Sequence, residues 1–161
     1  MVRFLVIFLS LLLALFFLEL QHSVQEHFVK PFTSALARIS VIIISLFDEN
    51  VTSYGRVIQS TTNLFAVSIE AGCNGIEAAM VLISAILAFP GKINEKIIAI
   101  ALGILTIQFL NIARIISLFY LGQWDMDIFT WVHLYLWPVL IMFDVLLVFI
   151  IYLNFLSRGQ S

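Results

Sequence analysis

The chain has 161 residues, 62% hydrophobic and 11% charged, with a mean hydropathy of +1.10 and a formal net charge of -2. Soluble domains average roughly 45–50% apolar and about 25% charged, so a soluble globule is excluded and an all-α polytopic membrane protein is expected. No basic block invites nucleic acid, and the lone cysteine, Cys73, excludes an internal disulfide and any multi-cysteine metal site.

Residues 4–18 form an apolar run behind Arg3, broken only by Ser10. The pattern resembles a signal peptide, but "LELQHSVQEH" follows with no small-residue cleavage pattern. Residues 1–20 are therefore expected to be an uncleaved signal-anchor helix. His22 and His27 then fall in the following loop as solvated or interfacial groups; the His–Glu–His of "HSVQEH" matches no standard metal spacing. No metal or cofactor is expected. Residues 35–47, with "ISVIIISLF" and Arg38, are about 13 residues long, too short for a span of about 20. They are expected to form an amphipathic or re-entrant helix on the outer leaflet, with Arg38 at the interface.

Residues 48–71 hold β-branched and aromatic runs, "GRVI" and "NLFAVSI", separated by "QSTTN". That pattern predicts a small hairpin. Three further spans are expected at about 75–89, 97–121 and 134–156. Lys92 and Lys96 lie between the first two of these, Arg3 and Arg158 near the chain ends, and "QWDMDIFTWVH" has no Lys or Arg. The positive-inside rule places those basic residues in the cytoplasm and Cys73, Asp125 and His133 outside. The expectation is one membrane-embedded domain, 1–161, of about four spans. It divides into the anchor (1–20), an extracytoplasmic segment with its interfacial helix and hairpin (21–72), and a helical core (73–156).

Candidate chemistry collects at the outer end of that core. Asn74 is a good helix N-cap, and Glu77 three residues later can complete a capping box. Cys73 then precedes a helix N-terminus, a position that favours thiolate; the plainer reading is a small apolar filler. Arg114 lies about eight residues inside its predicted span, or roughly 12 Å deep, where an arginine needs a protein partner. Asn111 is one turn away and can orient it. Arg114 can instead neutralise Asp144 of the last span. His133 stands where the acidic-aromatic loop enters that span and can take a proton from a thiol near neutral pH, or can serve as one member of an aromatic belt with Trp131, Tyr135 and Trp137. Together, Cys73, His133 and a cationic group describe an activated thiol capable of acyl transfer. A non-enzymatic scaffold or transport subunit built on an Arg114–Asp144 pair, and a membrane acyltransferase acting on lipid, are the other classes open to these residues.

"EAGCNGIEA", "NIARIISLFYLG" and "VHLYLWP" resemble the three signature blocks of the exosortase/archaeosortase family. The short chain is similar to a compact bacterial branch, exosortase H. The resemblance spans about residues 55–156 and implies a cysteine transpeptidase or protease of the bacterial inner membrane, its active site facing the exterior. Cys73, Arg114 and His133 match the family's catalytic positions, with Asn74 standing where serine is usual. The implied partners are membrane lipids and exported proteins bearing a C-terminal sorting signal, made of a motif, a helix and a basic tail. The implied acceptor is water, a lipid or a glycan.

Overall fold

Apolar runs with few charges fold here as helices because only internal hydrogen bonds satisfy a backbone in lipid. The structure, a computed structural model, describes residues 2–158, without the side chains of residues 157 and 158; that of Arg158 lies outside the described residues. The helices are α1 (Val2–Glu19), α2 (His22–Val24), α3 (Lys30–Ile44), α4 (Ile76–Ala88), α5 (Ile93–Trp124), α6 (Met126–Trp131) and α7 (Trp137–Arg158). Strands β1 (Val51–Tyr54), β2 (Val57–Ser60) and β3 (Ala66–Ser68) form one antiparallel sheet in the order β1-β2-β3.

Two π turns join helices end to end: Gln25–Val29 between α2 and α3, and Val132–Leu136 between α6 and α7. Each is followed at once by an X-Pro pair, Lys30-Pro31 and Trp137-Pro138. Proline has no N–H and its ring clashes with the carbonyl four residues back. Widening the preceding turn relieves that clash: the N–H of Lys30 reaches Gln25 and that of Trp137 reaches Val132.

Four stretches are long and apolar enough to cross a membrane: Val2–Glu19, His22–Ile44, Ile93–Trp124 and Met126–Leu156. The protein is a multi-pass membrane protein, and its outward faces carry Leu9, Leu13, Leu102, Phe109, Phe143 and Ile150 exposed. This set of four differs from the expected one in two places. The expected span at 75–89 is the 13-residue helix α4, about 20 Å long at 1.5 Å per residue. Pro90 and the loop before Ile93 end it, and the Gly72–Gly75 turn delays its start. The expected short interfacial helix at 35–47 is the second half of a 23-residue helical stretch that starts at His22.

Packing separates these roles. Helices α1, α4, α5 and α7 form the bundle, whose core is Leu82, Ile86, Ile107, Val145, Tyr152 and Leu156. Helix α3 instead runs along the C-terminal half of α5 beneath the sheet. Its buried face, Thr33, Leu36, Ala37, Ser40 and Ile44, meets Val51, Ile58, Ile115 and Phe119, while Arg38 on the opposite side is exposed. α3 is thus amphipathic, as its sequence suggests.

The expected hairpin has one more strand than expected, "VTSY", paired Val51↔Ser60 through Tyr54↔Val57. Side chains tie the sheet to α5: Tyr120 Oη donates to Asp48 Oδ2 at 3.2 Å, and Asn63 Nδ2 to Gln123 Oε1 at 2.9 Å. The lack of a side chain at Gly122 admits the ring of Phe65, which also packs on Phe119.

Helix α5, with 32 residues, is about 48 Å long. The hydrocarbon core is about 30 Å thick. α5 is therefore longer than one crossing needs, and its C-terminal third carries the sheet. The supposed loop before the last helix is mostly helical too, since Asp125 caps α6 by accepting from the N–H groups of Asp127 and Ile128. At the other end, Phe4 meets Phe89 and Phe89 meets Phe149, each edge-on at 6.2 Å. Arg3, Lys92 and Lys96 gather at that end, opposite the sheet.

Candidate active site

Strand β3 runs into a tight turn, 69–75, and the turn presents Cys73 before α4 begins. Gly72 and Gly75 both have left-handed backbones, φ +80° and +77°, a conformation most L-residues avoid. At Gly75 a Cβ would also lie 2.9 Å from Gln108 Nε2. Glycine is thus what lets the turn lie directly on α5.

The polar residues around the turn fix Cys73, though not by the capping box expected. Gly75 occupies the N-cap position of α4 and offers no side chain. Asn74, buried, instead accepts from the N–H of Ile76 at 3.0 Å and donates to Thr33 Oγ1 at 3.3 Å. Glu77 reaches past Asn74 to accept from the N–H of Gly72 at 2.6 Å. The αL residue inserted after Asn74 shifts the start of the helix and rearranges both partners. Asn111 also differs from expectation. Its Nδ2 donates to Gln108 Oε1 at 3.5 Å, and it lies under Gly75 instead of orienting Arg114. Thr33 and Gln108 also pack around this turn, and the sequence reading gave them no role there. Their only prior signal is that they are polar within apolar helices.

Arg114 is buried, 5% exposed, and its Nη2 donates to Cys73 Sγ at 3.5 Å. It stands 21 residues after Ile93 and 10 residues before Trp124 in α5. Among the described residues no ion pair joins Arg114 to Asp144. The Asp144 Oδ2 and Arg114 Nε atoms are each buried without a hydrogen-bond partner.

His133 sits in the π turn before Pro138, with its ring stacked on Phe129 at 5.7 Å and 7°. It lines the same cavity, about 280 Å³, as Cys73 and Arg114. The other walls are residues 65–70 of the sheet, Ile115, Leu118, Met126 and Phe129. No hydrogen bond joins His133 to Cys73 in this geometry, and His133 Nδ1 is buried without a partner. A second cavity, about 270 Å³, opens between α4 and α7 on the other side of Arg114, lined by Gly72, Glu77, Val81, Pro138 and Val145.

The electrostatics of Cys73 run against the expected thiolate. Burial pushes the thiol above its usual range, the Arg114 guanidinium pulls it down, and Glu77 and Glu70 push it up again. Glu70 is itself held by Arg56 at 2.9 Å and by Ser68, whose Oγ donates to it at 2.7 Å. His22 and His27 lie exposed and away from this cavity, and no group of three or more His, Cys, Asp or Glu able to hold a metal occurs among the described residues.

In comparisons with known proteins, residues 2–152 match the family described as transmembrane exosortase. No curated protein and no solved structure matches the chain. Because the family match begins in α1 and ends in α7, it takes in the bundle, the sheet and the turn that carries Cys73: the chain belongs to the transmembrane exosortase family.

Proposed function

We propose that the protein is a membrane-embedded cysteine transpeptidase or protease that cleaves C-terminal sorting signals of exported proteins. The observation that carries this reading is the Arg114 guanidinium 3.5 Å from Cys73 Sγ at a cavity that His133 also lines. His133 takes the proton of Cys73 as sulfur attacks the scissile carbonyl carbon. Arg114 stabilises the developing charge, first on sulfur and then on the carbonyl oxygen. The C–N bond breaks, the leaving amine takes the proton from His133, and the substrate remains as a thioester on Cys73. Water, or an amine or hydroxyl of a lipid or glycan, then attacks the thioester and returns the proton to sulfur. The cavity between α4 and α7 lies beside the same arginine and is lined mainly by apolar residues of two membrane helices, which suits a substrate tail that is itself a membrane helix.

Mass spectrometry tests this reading. A Cys73 thioester bearing the body of a co-expressed tailed protein, without its helix and basic tail, is the expected adduct. A fatty-acyl adduct would assign the protein to lipid acyl transfer instead. A Cys73→Ala protein that still shortens tailed proteins would remove the reading altogether.

The cavity end is assigned to the exterior of a bacterial inner membrane, because Arg3, Lys92 and Lys96 cluster at the opposite end and basic residues mark the cytoplasmic side. A reporter fused at Asn94 should read cytoplasmic, and reporters at Asn50 and Asp127 external. A cytoplasmic signal at Asn50 would turn the helix 22–44 into a true crossing.

A further inference from the structure

Strand β3 lies at the edge of the sheet, and its register fixes where its backbone groups point. In an antiparallel ladder, residues alternate between bonding their neighbour and facing away. The N–H of Ser60 donates to Phe65 O at 2.9 Å, and the N–H of Ile69 donates to Arg56 O at 3.1 Å. Ile58 pairs with Val67 between them. Phe65, Val67 and Ile69 therefore direct their backbone groups at β2. Ala66 and Ser68 direct theirs outward, on the side where no further strand lies among the described residues.

That outward edge belongs to the cavity of Cys73: residues 65–70 form one of its walls. Glu70, next in the same alternation, uses its carbonyl to accept from the N–H of Cys73 at 3.0 Å. The row of free amides thus ends at the nucleophile's own turn. Ala66 and Ser68 are exposed, their side chains are small, and the strand has no lysine or proline of the kind that shields natural sheet edges. On the opposite face, Val67 packs against the hydrophobic core beneath the sheet, so the edge is held in place before anything binds.

We infer that β3 is the docking edge for the substrate: an extended peptide adds to the sheet beside Ala66 and Ser68, and this pairing lays its scissile bond at Cys73. The inference rests on the proposed peptide chemistry and supplies its recognition. Backbone pairing provides affinity without regard to sequence, while side chains at alternate positions remain free to be read by the surrounding walls. One edge can in this way serve many exported proteins that share only a short motif.

The test uses the full chain in detergent and two probes, chloroacetamide and acetyl-tetra-alanyl chloromethyl ketone. With each, Cys73 sulfur displaces chloride and forms a thioether, read by mass, and each rate is divided by that of the same probe with free glutathione. The peptide probe is expected to label Cys73 about tenfold faster on this scale, the factor that two net hydrogen bonds supply. N-methylation of the peptide should remove the gain at amides of one parity and leave it at the other. Ala66→Pro, which removes one outward N–H and leaves the Ser68–Glu70 contact in place, should also lose the gain, read as the ratio of the two normalised rates. Equal normalised rates for the two probes, or equal effects of both methylation parities, would overturn the docking edge. The two readings fail separately: peptide labelling with alternating parity but no thioester on tailed proteins leaves the edge and removes the transpeptidase.

Discussion

Arg114→Lys is expected to lower processing of tailed proteins by about 10²–10³-fold, the usual loss when one preorganised donor to a developing oxyanion is removed. The substitution keeps the positive charge, so the bundle should still insert. What it removes is the planar fork of donors, one arm of which points at Cys73 Sγ. A lysine ammonium is a point charge on a flexible stem and cannot serve sulfur and carbonyl oxygen in a fixed plane. Asp144→Asn should leave processing nearly unchanged, because no ion pair ties Asp144 to Arg114 among the described residues. If Arg114 were instead a counter-ion, the double variant Arg114→Gln/Asp144→Asn would regain the function lost in Arg114→Gln alone. Assays of the single and double variants, each checked for insertion, decide between the two roles.

Much of this arrangement was legible in the sequence because membrane insertion writes itself as apolar runs. The first expected span, 1–20, overlaps α1, the third and fourth fall within α5 and the α6–α7 stretch, and the strand character of 48–71 is real. The failures share a cause. Residues 75–89 read as a full-length span because α4 is apolar throughout; α4 does run from the turn of Cys73 toward the end that holds Lys92 and Lys96, but with 13 residues it is shorter than the apolar run suggests. Helix boundaries were set by chemistry that periodicity does not carry: the αL glycine at 75, the aspartate cap at 125, and the prolines that widen the turns before them. Cys73, Arg114 and His133 were each visible as a chemical type out of place in its setting, and the fold gathers them around one cavity. Their supports were not visible. Thr33 meets Asn74 across 41 residues of chain, and no local pattern announces such a pair. The outward edge of β3 was equally hidden, because it depends on register.

Cys73→Ser is expected to lower processing by at least about 10³-fold, because a hydroxyl is a far weaker nucleophile than a thiol unless a base strongly activates it. The larger point is how Cys73 reaches its reactive form. Its thiol is raised above the usual range by burial, with Glu77 and Glu70 adding to the effect and Arg114 opposing it. A raised value means that near neutral pH the resting site holds the protonated thiol. Alkylation by a small reagent should therefore keep accelerating with pH past the midpoint of a free thiol, near about 8.5. The midpoint should fall in Glu77→Gln and Glu70→Gln, where a nearby negative charge is lost. It should climb further in Arg114→Gln, where the stabilising cation is gone. A protonated resting thiol needs a base at the moment of attack, and His133 is the histidine on the cavity wall. No hydrogen bond joins the two at rest, and such contacts often tighten only when substrate binds. His133→Ala should slow processing by about 10²–10⁴-fold at neutral pH, with partial recovery at high pH, where the thiolate forms without help. His133→Tyr keeps an aromatic ring against Phe129 but not the base, and should be as slow as His133→Ala. A His133→Tyr protein with normal processing would reduce the histidine to a packing residue and leave the activation of Cys73 to Arg114 alone.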